Sequence, residues 1–187
     1  MNMARPRAFD KDNALEEILL LIWAHGSSGL SLDDIGKKLK LSKTSLYSAF
    51  GNKSALLRQC FELYEEQYEQ PMLASFQGET LQDSLCNFLK FSSHRFDSLD
   101  SPPGCFMFNC SVERASLPED FRLKVEQGNL DFKQALRDKV VAHKYDTETA
   151  DIDKWVDMLL VNLFGLASAS RMNFPLNTNY LSLLKLL

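Results

Sequence analysis

Apolar residues recur at helical spacing along most of the chain, and strand-type alternation is absent. In the first such segment, Leu15, Ile18, Leu19 and Ile22 follow one another at intervals of three and four residues, which places them on one face of a helix. Glycine and proline, which interrupt helices, number only eight and six. The 187-residue chain is therefore predicted to be all-α, with about nine helices.

Three short helices are predicted near the N-terminus, followed by a longer one. Ser31, Ser42 and Ser54 each precede a helical segment, and serine is a favoured N-cap. They predict the starts of the second helix, of a short third helix over residues 43–49, and of a long fourth helix that ends near Pro71. Two short helices joined by a turn of a few residues form a helix-turn-helix.

A helix-turn-helix of this kind suits the major groove of DNA. The groove admits one helix, whose outer side chains must donate or accept hydrogen bonds at base edges. Helix starts also supply backbone N–H groups for phosphates. The residues predicted to face DNA are Ser31, Ser42, Lys43, Thr44, Ser45, Tyr47, Ser48 and Lys53. A helical hairpin in an ordinary bundle has the same pattern, so the pattern alone leaves DNA binding open.

The charge of the chain is unevenly distributed. Residues 1–58 hold nine Lys and Arg against six Asp and Glu, although the whole chain has a net charge of −4. Five of these basic residues lie between Lys37 and Lys53 without an acid among them. A basic N-terminal part on an acidic body favours approach to a polyanion through that part, although a solvated helix face has the same composition.

Residues 30–57, LSLDDIGKKLKLSKTSLYSAFGNKSALL, resemble the DNA-binding signature of the TetR family of transcriptional regulators. The matching residues, in order, are Ile35-Gly36, Leu41-Ser42, Ser45-Leu46-Tyr47, Phe50, Lys53 and Leu56. The resemblance implies a helix-turn-helix DNA-binding domain at residues 1–53 and a helical-bundle domain for effector binding and dimerisation at residues 54–187. It also implies that Tyr47 and Lys53 contact phosphates, whereas the short third helix reads bases.

The sequence departs from the family pattern in the turn between the second and third helices. Lys40 stands where the family often has glycine. If this position takes a positive φ, lysine bears a conformational cost that glycine would not. Lys40 also adds a positive charge near the phosphates, and Thr44 replaces a residue that is often smaller, which alters base preference.

The second domain is predicted to dimerise. Residues 102–113, PPGCFMFNCSVE, resemble the Gly-Cys-apolar stretch of one TetR subgroup, which implies a pocket among the fourth to eighth helices and a dimer across the last two long helices. From the residues themselves, the apolar helix over 158–169 and a leucine-rich terminal helix over 179–187 must be buried. The residues predicted at the homodimer interface are Leu159, Leu163, Leu166, Leu183 and Leu184.

Aromatic residues are abundant in the second domain. Some of the thirteen phenylalanines can line a cavity for a small-molecule effector of apolar or aromatic character, although each of them can equally fill a core. The residues predicted to line the pocket are Phe61, Tyr64, Phe88, Phe91, Cys105, Phe106, Phe108 and Trp155. The identity of the effector is not predicted.

The function predicted from these observations is that of a repressor that binds a palindromic double-stranded DNA operator as a dimer and is released by the effector; the sign of regulation stays open. A second reading is a thiol-based redox or electrophile sensor that uses Cys105, which is placed near a helix start. A third is a helical interaction module without DNA binding.

Other classes of protein lack support in the sequence. There is no Ser/His/Asp set, phosphate-binding glycine loop or Cys/His metal spacing, so neither an enzyme nor a cofactor is expected. The four cysteines are expected to be thiols in a reducing compartment. Neither an apolar run of 18 residues nor a secretory signal is present, which predicts a cytoplasmic protein without membrane contact.

Overall fold

The computed structural model describes residues 9–142 and 149–175. In these ranges the secondary structure is helical, without a strand, which confirms the predicted all-α class. The helices are α1 (Lys11–His25), α2 (Leu32–Leu39), α3 (Lys43–Phe50), α4 (Lys53–Tyr64), α5 (Gln70–Ala74), α6 (Leu81–Phe96), α7 (Phe106–Val112), α8 (Glu119–Ala142) and α9 (Thr149–Arg171). The helix predicted at 179–187 lies outside the described residues. None of the described helices has the length and apolar character that a bilayer crossing needs.

Side-chain caps fix the starts of the first three helices, which we call the head. The Asp10 carboxylate accepts hydrogen bonds from the N–H groups of Asp12 and Asn13 at the start of α1. Ser31 and Asp34 form a capping box at the start of α2, and Ser42 accepts from the N–H of Ser45 at the start of α3. These caps accept hydrogen bonds from N–H groups that have no partner within the helix, and the caps Ser31 and Ser42 were predicted from the sequence.

Helices α4–α9 form the body, and α4 departs from the prediction at both ends. Its N-cap is Asn52, whose side chain accepts from the N–H of Ala55, whereas the predicted cap Ser54 lies inside the helix and donates to Asp120. At the other end α4 passes into a π-helical turn, Glu65–Glu69, and the helical path continues through α5 to Ala74.

Head and body share one hydrophobic core. Trp23 of α1 packs edge-on against Tyr64 of α4, with 5.2 Å between ring centroids, and lies 6.1 Å from Phe106 of α7. Phe61 in turn packs against Phe121 of α8. A buried aromatic side chain of the head therefore completes the core of the body.

The long helices α8 and α9 run antiparallel. Lys133 pairs with Asp157, and Arg137 pairs with Asp153, at 2.5 and 2.8 Å. Since these pairs are partly exposed, they set the register of the two helices more than they stabilise the fold.

Candidate DNA interface and its link to the core

The turn between α2 and α3 contains a strained backbone position. Lys40 has a φ of 57° and lies in the left-handed region, which is the condition under which the sequence predicts a conformational cost for lysine in place of glycine. Its N–H donates to the Gly36 carbonyl, and the Leu41 N–H donates to the same oxygen at 2.8 Å. The turn therefore ends α2 tightly and brings the start of α3 across it, at the conformational cost of a side chain in this region.

The outer face of α3 is polar, and its side chains are exposed to solvent. Leu46 and Phe50 are buried beneath the helix, whereas Thr44, Tyr47 and Ser48 are exposed, with Tyr47 showing half of its surface. Leu46 and Phe50 thus hold the helix, and its donors and acceptors face outward. This is the arrangement that reading of base edges requires.

The predicted contact residues at the helix starts already have partners within the protein. Ser31 is bonded to Asp34, and the hydroxyls of Ser42 and Ser45 share a hydrogen bond of 2.8 Å. The Lys43 ammonium forms an ion pair with Asp33 at 2.9 Å, which raises the pKa of Lys43 through that hydrogen bond. Contact of Lys43 with a phosphate requires this pair to open.

Lys53 lies at the first position of α4, at the junction of head and body. It is half-buried, and its burial lowers the pKa of the ammonium, while the charges of Glu113 and Asp34 act in the opposite direction. The neighbouring Ser54 donates a hydrogen bond to Asp120 at the start of α8. The junction therefore contains a basic side chain next to a residue that is hydrogen-bonded to α8.

Glu113, which ends α7, reaches across to the turn after α1. Its Oε2 accepts hydrogen bonds from the Ser27 hydroxyl at 2.7 Å, the Ser28 N–H at 3.0 Å and the Ser28 hydroxyl at 3.1 Å. Gly26, with a φ of 89°, leaves room for this carboxylate, because a Cβ there would lie 2.6 Å from Glu113 Oε1. Charge-assisted bonds of this kind fix one side of the head.

Arg171, at the end of α9, holds the same end of α1 from another side. Its guanidinium donates to the carbonyl of Trp23 at 2.9 Å and to that of Ala24 at 3.0 Å. A cation at the C-terminal carbonyls of a helix also interacts favourably with the helix dipole. The head is therefore attached to the body at α1 by one acidic and one basic side chain.

The predicted pocket residues divide into two groups. Phe61, Tyr64, Cys105 and Phe106 meet in the buried core between α4 and α7, with Tyr64 and Phe106 5.5 Å apart. The others lie elsewhere: Phe88 is buried against Phe76, Phe91 is exposed, Phe108 is half-buried against Phe164, and Trp155 is half-buried on α9.

Cys105 is the N-cap of α7, as its predicted position near a helix start requires, but it is almost completely buried. Its thiol lies 3.1 Å from the Tyr64 hydroxyl. Burial raises the pKa of Cys105, although the hydrogen bonds from Tyr64 and from the Phe108 N–H act against this. A reactive thiol needs the opposite shift, so the environment of Cys105 favours a packed, protonated side chain over a sensor.

Glu69 is a buried acid in the same region of the body. It is the last residue of the π-helical turn, is 5% exposed, and its Oε2 lacks a hydrogen-bond partner among the described residues. Burial raises its pKa to about 7, the charge of Glu65 adds to this, and that of Lys124 opposes it. The core between α4, α7 and α8 thus contains an acid that the described residues do not neutralise.

Most of the residues predicted at the dimer interface are buried in the core of the protomer itself. Leu159, Leu163 and Leu166 are buried in the core of the body, because their face of α9 packs against the other helices. They are therefore not available to a partner, and Leu183 and Leu184 lie outside the described residues.

A different set of apolar side chains is exposed on α7 and α9. Val112 and Val161 each show about 70% of their surface, and each lies one turn from the stacked pair Phe108 and Phe164, whose ring centroids are 5.1 Å apart. Next to them, Gly165 has open space where a Cβ would stand. We call these five residues the outer patch.

Sequence reasoning missed three residues of this arrangement. Glu113 is the last residue of the quoted Gly-Cys-apolar segment but was assigned no role, and only its position in that segment could have indicated one. Arg171 and Glu69 carried no signal, because single charged residues in helices are ordinary surface residues until tertiary contacts bury or pair them.

The head matches a known family. Residues 15–60 match the model described as bacterial regulatory proteins, tetR family. The HTH-type transcriptional repressor ComR of Escherichia coli (strain K12) is 31% identical over 107 residues, which make up 56% of this chain and 51% of that protein. The aligned stretch thus spans only about half the length of this relative. The biofilm operon negative regulator IcaR of Staphylococcus epidermidis is 26% identical over 155 residues, 82% of this chain and 79% of that protein.

Solved structures share the fold over nearly the whole chain. A cysteine mutant of the TetR family regulator CifR, complexed with a 26-base-pair operator DNA, superimposes with a TM-score of 0.79 at 23% identity and covers 97% of this chain and 96% of its own. PfmR from Thermus thermophilus superimposes with a TM-score of 0.66 at 19% identity, over 95% of this chain and 96% of its own. At these identities the likeness concerns the fold alone.

Proposed function

Because residues 15–60 match the tetR family model, we propose that this chain is a TetR-type repressor that binds a near-palindromic operator as a homodimer and is released by a small-molecule effector. The operator lies on the genome, so the protein would act in the cytoplasm. The names of ComR and IcaR, a repressor and a negative regulator, support repression over activation.

The exposed face of α3 carries this proposal. A helix held from behind by Leu46 and Phe50 offers Thr44, Tyr47 and Ser48 to a major groove. In this role Thr44 and Ser48 contact base edges, and the Tyr47 hydroxyl reaches a phosphate.

Phosphate contacts would come from the surroundings of α3. Lys53 and the N–H groups at the starts of α2 and α3, capped by Ser31 and Ser42, lie around the reading helix. Lys43 would exchange Asp33 for a phosphate on binding. Asp33 then acts as a competitor that the DNA must displace, which lowers affinity for weak, non-specific sites.

The outer patch supports a dimer whose interface includes α7 and α9. A helical glycine with open space above it permits close approach of a second helix, and Val161 and Phe164 would be covered by the partner's copy of the same face. A two-fold dimer of this kind would set the two α3 helices about 34–36 Å apart, the spacing of successive major grooves.

Release of the operator would depend on the hydrogen bonds that join the body to the head. An effector in the core between α4 and α7 would displace α7 and the stretch of α4 from Ser54 onward, and Glu113 would pass the movement of α7 to α1. Coupling of roughly 1–3 kcal/mol, typical of such systems, is sufficient if the effector prefers the shifted arrangement.

Selection of genomic DNA fragments by the purified protein tests the proposal. We expect enrichment of a short near-palindrome, with an affinity that falls steeply as the salt concentration rises. Tyr47→Ala should weaken binding to the selected site at least tenfold, since the exposed ring can be removed without disturbing the core. Phe91→Ala, a matched change of an exposed aromatic residue on α6, should have no effect.

Two outcomes would contradict it. Absence of any enriched sequence would remove specific DNA reading and favour the helical interaction module. Equal binding by the Tyr47→Ala and Phe91→Ala variants would show that α3 is not the reading helix.

A further inference from the structure

A basic cleft lies between α2 and the start of α3. It has a volume of about 520 Å³ and opens to solvent. Six residues line it, of which three are basic and one is acidic: Asp33, Gly36, Lys37, Lys40, Leu41 and Lys43. The cleft therefore carries an excess of two positive charges, which favours the approach of an anion.

Two of the three lysines form no ion pair within the described part of the chain. Lys43 is paired with Asp33 at 2.9 Å, whereas neither an ion pair nor a side-chain hydrogen bond holds Lys37 or Lys40 there. Both of these side chains are exposed. Like charges that line one cleft repel one another, and an anion between them would relieve the repulsion.

A tight turn brings these lysines to one cleft. A Cβ at Gly36 would lie 2.7 Å from the Leu41 carbonyl oxygen, so glycine is needed for the turn to fold back on α2 this closely. The same turn holds Lys40 in the left-handed region, with a φ of 57°. Because the Lys40 side chain is exposed, packing within the protein does not compensate the conformational cost. A strained residue of this kind points to a role in binding.

We propose that the cleft binds a phosphate of the operator backbone and that the Lys40 ammonium, together with that of Lys37, donates to this phosphate. Lys43, the first residue of α3, lies at the edge of the cleft, so the phosphate would belong to a strand that borders the groove occupied by α3. Such a contact adds affinity and fixes the register of the head without reading bases.

This inference rests on the proposed function, since it adds a contact to the same DNA interface. It also goes beyond the sequence, which places the charge of Lys40 near the phosphates but assigns no contact to it or to Lys37. Because Lys40 stands where the resembling family often has glycine, the contact would be a feature of this chain.

A change of charge at Lys40 tests the proposal. Lys40→Gln keeps the length of the side chain and the left-handed backbone, so its thermal unfolding should match that of the parent. Affinity for the selected operator at low salt should fall roughly tenfold, and the slope of log K against log salt should become less steep by about one, as for one lost phosphate contact.

Lys38→Gln is the matched control, because it removes the same charge from an exposed site two residues away. Lys38 does not line the cleft, and its ammonium lies 3.4 Å from His25 Nε2 at the end of α1. Its loss changes only the general field around the head, so the slope should change much less than in Lys40→Gln.

Uncharged phosphates in the operator locate the contact. When each phosphate is replaced singly by a methylphosphonate, the parent should lose roughly tenfold in affinity at one position per half-site to which Lys40→Gln is insensitive. Lys40→Gly separates the contact from the strain. It should lose the same contact, while its midpoint of thermal unfolding rises by about 2–4 °C, because glycine adopts a positive φ without the steric cost.

Three results would overturn the proposal: equal salt slopes for Lys40→Gln and Lys38→Gln, the same methylphosphonate profile for Lys40→Gln and the parent, or a Lys40→Gly variant that keeps the slope of the parent. A duplex of random sequence separates this proposal from the proposed function. If the parent binds it as tightly as the best selected fragment, the specific repressor is refuted. A less steep slope for Lys40→Gln on that duplex would still support the phosphate contact, which needs no particular sequence.

Discussion

Glu113 and Ser27 are joined by a side-chain hydrogen bond of 2.7 Å although they lie 86 positions apart in the chain. The bond ties the end of α7 to the turn after α1. The opposite end of α7 is capped by Cys105, which contacts Tyr64 in the core. The two-turn helix α7 therefore has one end at the proposed effector site and the other on the head. If α7 moves as a rigid body, a displacement at the effector site reaches the head.

Glu113→Ala should loosen the orientation of the head. We expect the parent to discriminate against operators whose half-sites are moved apart by one or two base pairs, and the variant to bind them nearly as well as the original. Stability should fall by roughly 1–3 kcal/mol, the loss expected for a partly buried acceptor of several hydrogen bonds. Glu113→Gln, which keeps an acceptor oxygen, should preserve much of the discrimination. Glu62→Ala, at an exposed site on α4, is the control and should keep the spacing preference of the parent. An unchanged spacing preference in Glu113→Ala would refute the role of α7 in orienting the head.

Asp33→Asn should strengthen DNA binding. The change releases Lys43 and removes a negative charge beside the phosphates. We expect affinity at low salt to rise roughly tenfold and the slope of log K against log salt to become steeper by about one, as for one added phosphate contact. Asp138→Asn on α8 should alter neither quantity. If affinity falls instead, the Lys43–Asp33 pair positions α3 and does not compete with DNA.

Gly165→Leu should weaken the dimer. The side chain enters open space in the protomer, so the fold should persist, but a partner helix close to this position would be pushed away. Sedimentation should show a dimer dissociation constant at least tenfold higher than that of the parent. Ala142→Leu, an exposed site at the far end of α8, should leave it unchanged. A Gly165→Leu protein that remains dimeric would place the interface elsewhere.

Glu69 should make the fold less stable as the pH rises. Its folded pKa of about 7 lies above the ordinary value of 4.5, so the folded state holds this proton more tightly than the unfolded chain does. The resulting stabilisation is complete below pH 4.5 and is lost as the pH rises through 7; it amounts to roughly 3 kcal/mol at most. Unfolding by urea between pH 5 and 8 should show this loss in the parent and not in Glu69→Gln. Equal pH profiles for the two proteins would exclude a buried, unpaired Glu69.

Local signals in the sequence predicted much of the helical framework. The observed bounds of α3, Lys43–Phe50, agree within one residue with the predicted bounds of 43–49. Ser31 and Ser42 cap their helices as predicted. The π-helical turn was not predicted, since no residue type in 65–69 favours a π-turn.

The candidate sites could be predicted only where one element carries them. The outer face of α3 follows from helical periodicity and a cap, and Thr44, Tyr47 and Ser48 are exposed on it as predicted. The leucines of α9 were correctly expected to be buried, but periodicity does not say whether the covering surface belongs to the same chain. The burial of Glu69 depends on tertiary contacts between three helices, and a single sequence does not show which helices meet.

The position of Trp23 between head and body has a practical consequence. Its indole is buried against Tyr64, Tyr68 and Phe106, so its emission depends on how closely α1 sits on the body. The chain has only one other tryptophan, Trp155 on α9, and a Trp155→Phe background would leave Trp23 as the single emitter. The unlabelled protein thus contains its own spectroscopic probe of the contact between the head and the body.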